Sequence, residues 1–253
     1  MIEHFFKNFQ FHYSQSDKDV FVTIVVTTIS FIVFWFLTQS IKLRNKLWKK
    51  DSYDNESFKH FFFSKISGFI FLGCIPCLIM LIYFNDWGLS QFGLYYNNDT
   101  IALSLEWILI LVIIVIPIVY SSAKKPKNLI NYPQIRAKLW DTRIFYFNLL
   151  GWFLYLFGYE LLFRGILLFP LVKTIGIWPA IAVNISLYSA THIPKGLDET
   201  IGALFIGFVL CILTIVTDTI WIAFFVHVAM AWTNSLTALK FHPEIHYSKW
   251  KKK

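Results

Sequence analysis

The sequence predicts an all-α membrane protein, a polytopic bundle of about seven transmembrane helices, on three observations. Of its 253 residues 57% are hydrophobic and only 15% charged, with a mean hydropathy of +0.56, where an ordinary soluble domain has about 45–50% and 25%. Apolar runs of 17 residues or more recur at 20–41, 61–84, 101–120, 145–172, 177–193, 199–217 and 219–239, and roughly 17–25 helical residues cross a hydrocarbon core about 30 Å thick. Finally, Lys and Arg gather in alternate loops, as they do when cytoplasmic loops hold the basic excess. A soluble enzyme does not fit this composition, and the 19% of aromatic residues is the opposite of a disordered chain.

Taken in order, residues 1–19 carry Glu3, Asp17 and Asp19 and lack the basic start and cleavage site of a secretory signal, so the first run is expected to be retained as a span. The second holds Lys65 at its boundary and the pair Cys74 and Cys77. Thiols inside an apolar helix are inert packing groups, and no second Cys pair completes a metal site. In the third, Glu106 lies one turn in beside Trp107, placed to snorkel toward the headgroups. The fourth to seventh runs hold nearly all the remaining intramembrane polar groups. The chain divides into a scaffold at 1–143, with three spans and basic loops, and a four-span core at 144–253 with a basic tail.

Six Lys or Arg fall in 42–60, six in 121–143, one in 194–198 and five in 240–253, together 18 of the 23. This sets the N-terminus outside and the C-terminus in the cytoplasm. Trp48, Trp87, Trp107, Trp140, Trp178, Trp221 and Trp250 lie at or near span ends, where an indole suits the headgroup level. The net charge of +8 is therefore topology, and nucleic acid is not an expected partner. Membrane lipid is one, with a peptide or protein substrate as the other. His242-Pro243-Glu244-Ile245-His246 is not HExxH and reads as a solvated tail.

Ionisable residues inside a span are costly and count as functional candidates. Glu160 and Arg164 lie within the fourth span, His192 ends the fifth and His227 lies in the seventh. Four residues apart, Glu160 and Arg164 share a helix face and can form an ion pair, which either neutralises two inserted charges or fixes a working carboxylate. No cofactor is expected. A zinc held by Glu160, His192 and His227 is the one metal alternative, and an arginine four residues from the carboxylate argues against it.

These residues carry a resemblance. Tyr159-Glu160-Leu161-Leu162-Phe163-Arg164 resembles the EExxxR motif, Tyr188-Ser189-Ala190-Thr191-His192 the FxxxH motif, and His227-Val228-Ala229-Met230-Ala231 the HxxxN motif of the CAAX prenyl protease and bacteriocin-processing (CPBP, or Abi) family of intramembrane endopeptidases. The three stand in the family's order on separate predicted spans, over about residues 145–240. The resemblance implies hydrolysis of a peptide bond of a membrane-associated substrate by glutamate-activated water. Glu160 is then the remaining carboxylate, Arg164 its orienting partner, His192 the water-activating imidazole and His227 an oxyanion donor. It also implies a bacterial plasma membrane.

The sequence departs from the family pattern twice. Tyr159 stands where the first Glu belongs and Ala231 where the Asn belongs. Glu160 must then work from a helix face turned by about 100°, and Tyr159, Tyr188 and Asn234, two turns past His227, are the accessory candidates. These departures favour the alternative, a non-catalytic relative that binds a peptide or partner, as in bacteriocin self-immunity. A transporter or proton relay fits less well, because nearly all the intramembrane ionisable groups lie in the C-terminal half. With straight spans Glu160, His192 and His227 differ in depth by about 10 Å. A break at 165–176, where Gly165, Pro170 and Gly176 lie, is expected to absorb that difference.

Overall fold

The computed structural model describes residues 14–250. Helix α1 (Gln15–Gln39) begins at Ser14, whose hydroxyl accepts from the Asp17 amide while Asp17 accepts from the Ser14 amide. This reciprocal cap satisfies two of the amides a helix start leaves open. A short helix α2 (Ile41–Trp48) leads to α3 (Tyr53–Tyr83), which contains a π-helical stretch at Phe69–Cys74. Helix α4 (Ile101–Ala123) follows, then α5 (Thr142–Ile175), started by the Asp141 side chain accepting from the Ile144 amide at 2.8 Å. Helices α6 (Ile177–Ala190), α7 (Leu197–Thr217) and α8 (Trp221–Phe241) complete the bundle.

Six of these, α1, α3, α4, α5, α7 and α8, are long and apolar enough to cross a membrane. The run read at 177–193 is the exception. Its helix α6 has 14 residues, about 21 Å of rise. The protein is an integral membrane protein.

Helix α5 is the centre of the bundle. Of its most apolar window 78% is buried inside the protein, against 17% for α4 and 22% for α1, so those two present most of their surface to lipid. The break expected at 165–176 occurs only at its end. The helix runs unbroken through Gly165 and Pro170 and stops at Gly176, whose φ of 84° reverses the chain. Pro170 is tolerated because it opens the α-helical turn that follows a π-helical stretch at Leu161–Leu168, where the hydrogen-bond register changes and its missing N–H is not required. The depth difference is absorbed by α6 instead, which is short and returns the chain to the level of Tyr159.

Two ends of the bundle are distinct. At one, Tyr95 donates to Asp218 at 2.8 Å, Asn97 to the Thr217 carbonyl at 3.1 Å, and Lys173 lies over the Trp87 ring. At the other, Lys127 pairs with Asp198 at 3.1 Å, the Arg136 amide donates to Ser57, and Asn128 donates to Asn234 at 3.0 Å. The basic segments 42–60, 121–143 and 240–250 therefore share one end.

The tail after α8 is not the solvated segment the sequence reads as. Ile245 is buried, the amides of Glu244 and Ile245 both donate to His242 Nδ1 at 3.1 Å, and His246–Tyr247 pairs in parallel with Leu139–Trp140. Trp140 is fully buried and Tyr247 stacks on Phe145 with centroids 4.9 Å apart. Burial of these aromatic faces outweighs the solvation of a short polar run.

Helices α3 and α5 meet at glycines. A Cβ on Gly158 would lie 2.9 Å from the Gly68 carbonyl oxygen and 2.9 Å from Phe69 Cα, and one on Gly73 would lie 2.8 Å from Gly158 Cα. Only hydrogen fits, which is how small residues bring membrane helices together. Replacing Gly158 with Leu is expected to destabilise the protein by about 1–3 kcal/mol through overpacking, seen as a lower melting temperature in detergent. An unchanged melting temperature contradicts this contact.

Candidate active site

The site is built on the π-helical part of α5. Glu160 and Arg164 are both fully buried, with Arg164 Nε 3.2 Å from Glu160 Oε2. The other carboxylate oxygen, Oε1, lies 2.6 Å from His227 Nδ1 on α8. A carboxylate only accepts, so Nδ1 carries a proton and Nε2 is the nitrogen left for another partner. Glu160 thus touches Arg164 through one oxygen and His227 through the other.

Arg164 is held from several helices. Its Nη1 donates to Asn184 Oδ1 at 2.5 Å and to Cys211 Sγ at 3.2 Å, and its Cζ lies 4.5 Å above the Tyr188 ring. Asn184 in turn donates to the Phe163 carbonyl at 2.5 Å. Helices α5, α6 and α7 converge on this one guanidinium, which suits a planar cation with several fixed donors.

His192 follows the end of α6. Its Nδ1 lies 3.0 Å from the Tyr188 carbonyl oxygen, an acceptor only, so again Nδ1 is the protonated nitrogen and Nε2 is free. The Thr191 hydroxyl donates to the same carbonyl at 2.7 Å, and Tyr159 is 2.7 Å from Thr191 Oγ1. Since the Thr191 proton is used, the Tyr159 hydroxyl donates. The phenol that replaces a carboxylate here ties α5 to the segment after α6.

These groups surround a cavity of about 70 Å³. Phe31, Phe34 and Trp35 line it from α1, Trp152, Tyr155, Leu156 and Tyr159 from α5, Thr191, His192 and Lys195 from the segment after α6, and His227 from α8. The cavity is large enough to hold water. Glu160 lies behind this wall and reaches the cavity through His227.

Glu160, Arg164, His192 and His227 are brought together, with Tyr159 and Tyr188 between them. Tyr188 contributes its ring face to Arg164 and its carbonyl to His192. Asn234 is elsewhere, bonded to Asn128 at the basic end of the bundle. For the zinc alternative, the oxygens of Glu160 face His227 and Arg164, and no three His, Cys, Asp or Glu side chains among the described residues are grouped to hold a metal ion. The sequence reading missed Asn184, Thr191, Cys211 and Lys195. Asn184 alone had a signal, an amide in the middle of an apolar run.

Residues 141–233 match the family model described as type II CAAX prenyl endopeptidase Rce1-like. Over these residues, a little over a third of the chain, the sequence is similar to the CAAX prenyl protease family. The match begins at the residue that caps α5 and includes Glu160, Arg164, His192 and His227, so all four convergent groups lie within it. The family is one of membrane proteases, a class of hydrolases. No curated relative and no solved structure matches the chain.

Asn184 is the joint between Arg164 and the backbone. The Asn184→Ala variant leaves the Arg164 Nη1 donor and the Phe163 carbonyl short of a partner, a cost of about 1–3 kcal/mol for each buried group. It is expected to melt at a lower temperature in detergent, and a variant as stable as the parent contradicts this network.

Proposed function

We propose that this protein is an intramembrane endopeptidase that hydrolyses a peptide bond in a membrane-associated CAAX-type substrate. The observation that carries the proposal is the 2.6 Å contact between Glu160 and His227 at the wall of a cavity that also receives His192. With both Nδ1 protons committed, the two Nε2 atoms are acceptors for the hydrogens of one water. As that water attacks the carbonyl carbon, His227 Nε2 takes its proton. Glu160 stabilises the resulting imidazolium, which then protonates the leaving amine. Base catalysis of this kind contributes about 10²–10⁴-fold, and a buried carboxylate behind the imidazole fixes its tautomer and charge.

On this reading Glu160 is a positioning residue rather than the group that meets the water, because it is fully buried, with Oε1 on His227 and Oε2 facing Arg164. Arg164 keeps it ionised and oriented. Phe31, Phe34 and Trp35 of α1 form the apolar side of the cavity, the side on which an apolar peptide segment is expected to lie. The basic end of the bundle faces the cytoplasm under the positive-inside rule.

A second reading, a relative that binds a peptide without cutting it, is favoured by one observation. The residue that replaces the first carboxylate, Tyr159, spends its hydroxyl on Thr191.

The test is cleavage of a prenylated CAAX-type peptide by the purified protein in nanodiscs. The parent is expected to cleave with or without a chelator. Glu160→Gln, His192→Ala and His227→Ala are each expected to lose about 10²–10⁴ in rate. Binding of the peptide by the parent without cleavage establishes the second reading instead.

A further inference from the structure

Lys65 lies 12 residues into α3, where it is 4% exposed. Its Nζ is 3.3 Å from the centroid of the Trp152 ring, 4.4 Å from that of Tyr155 and 5.2 Å from that of Phe61. No hydrogen bond or ion pair reaches this ammonium among the described residues. Cation–π contact offsets part of the cost of burying it, but a buried charge is ordinarily paired. Beside it, the indole Nε1 of Trp152 is also buried and also lacks an acceptor.

Two adjoining buried donors without an acceptor are groups that an anion would satisfy. Trp152 and Tyr155 belong at the same time to the wall of the cavity that holds His192 and His227. Lys195 lies on that wall too, acts electrostatically on Lys65, and has only a loose partner in Glu199 at 3.8 Å. A neutral carbonyl can satisfy the indole, whereas an anion suits both the indole and the ammonium of Lys65.

We propose that Lys65 and Trp152, with Lys195 adding field, form a subsite for the C-terminal carboxylate of the bound peptide. The peptide as ligand rests on the function proposed above, whereas the anion-binding character rests on the geometry alone. Trp152 precedes Glu160 by eight residues on α5, about 12 Å of rise, and an extended peptide advances about 3.3 Å per residue. A chain end anchored at Lys65 therefore places a bond three to four residues from its terminus beside His227. The subsite sets how far from the end the chain is cut.

The experiment is equilibrium binding of a fluorescent prenylated CAAX-type peptide, as free acid and as carboxamide, to the full-length protein in phosphatidylcholine nanodiscs. Measurements are made on ice, with intact peptide verified by mass spectrometry. The parent is expected to bind the acid at least tenfold more tightly than the amide. Lys65→Met removes that preference, Lys65→Arg keeps it and Lys195→Gln reduces it. Equal binding of acid and amide by the parent overturns the proposal without recourse to any variant, as does a preference that survives in a folded Lys65→Met protein. Stabilisation of the parent but not of Lys65→Met by phosphatidylglycerol, with no acid preference, assigns the site to lipid phosphate and overturns it as well. Because binding is read without turnover, a protein that never cleaves still shows the preference, so failure here is distinct from failure of the peptidase reading.

Discussion

A carboxylate and a guanidinium, both without solvent exposure, sit four residues apart on the most buried helix of the molecule. Moving either ion out of water costs several kcal/mol even after relaxation, and mutual attraction offsets this only if the remaining donors and acceptors are satisfied. The bundle meets that condition in part, since Arg164 Nη1 and Glu160 Oε1 have hydrogen-bond partners while Arg164 Nη2 has none. Helix α6 supplies Asn184 and the Tyr188 ring, α7 supplies Cys211, and α8 supplies His227. The glycines of α3 let a further helix close over α5, so that water is kept from the pair. The lipid-facing helices α1 and α4 carry no part of the network, although α1 closes the cavity.

The same condition shapes the chemistry. Arg164 approaches one carboxylate oxygen and leaves the other for His227, so the group that neutralises the buried charge also directs it. One imidazole, that of His227, links the buried carboxylate to the cavity. Tyr159, which resembles a motif position occupied by a carboxylate, adds no second negative charge. It closes a chain of hydroxyls from α5 to the segment after α6, and in this way holds His192 at the cavity.

Much of this was legible in the sequence because hydropathy and charge act over many residues. Six of the seven apolar runs are helices long enough to cross a membrane, and Glu160, Arg164, His192 and His227 stood out because ionisable groups are rare there. What was not legible depends on single contacts. Cys211 sits among apolar neighbours and Thr191 in a mixed segment, with nothing to mark them as partners of Arg164 and His192. Lys65 reads as a boundary residue because a sequence does not reveal that Phe61, Trp152 and Tyr155 will surround it. The unbroken course of α5 through Pro170 depends on a π-helical register that hydropathy does not encode. Asn234 falls on a plausible side of α8 by spacing, but it is taken up by Asn128 some two turns from His227.

Glu160 and Arg164 are mutually required, which a double-mutant cycle on stability tests. Arg164→Met alone leaves an unpaired buried carboxylate, expected to cost about 3–5 kcal/mol. Combined with Glu160→Gln, the same change is expected to cost far less, so that the two substitutions couple by well over 1 kcal/mol in denaturant unfolding of the detergent-solubilised protein. Additive costs would mean that the two charges do not depend on each other and would contradict the account.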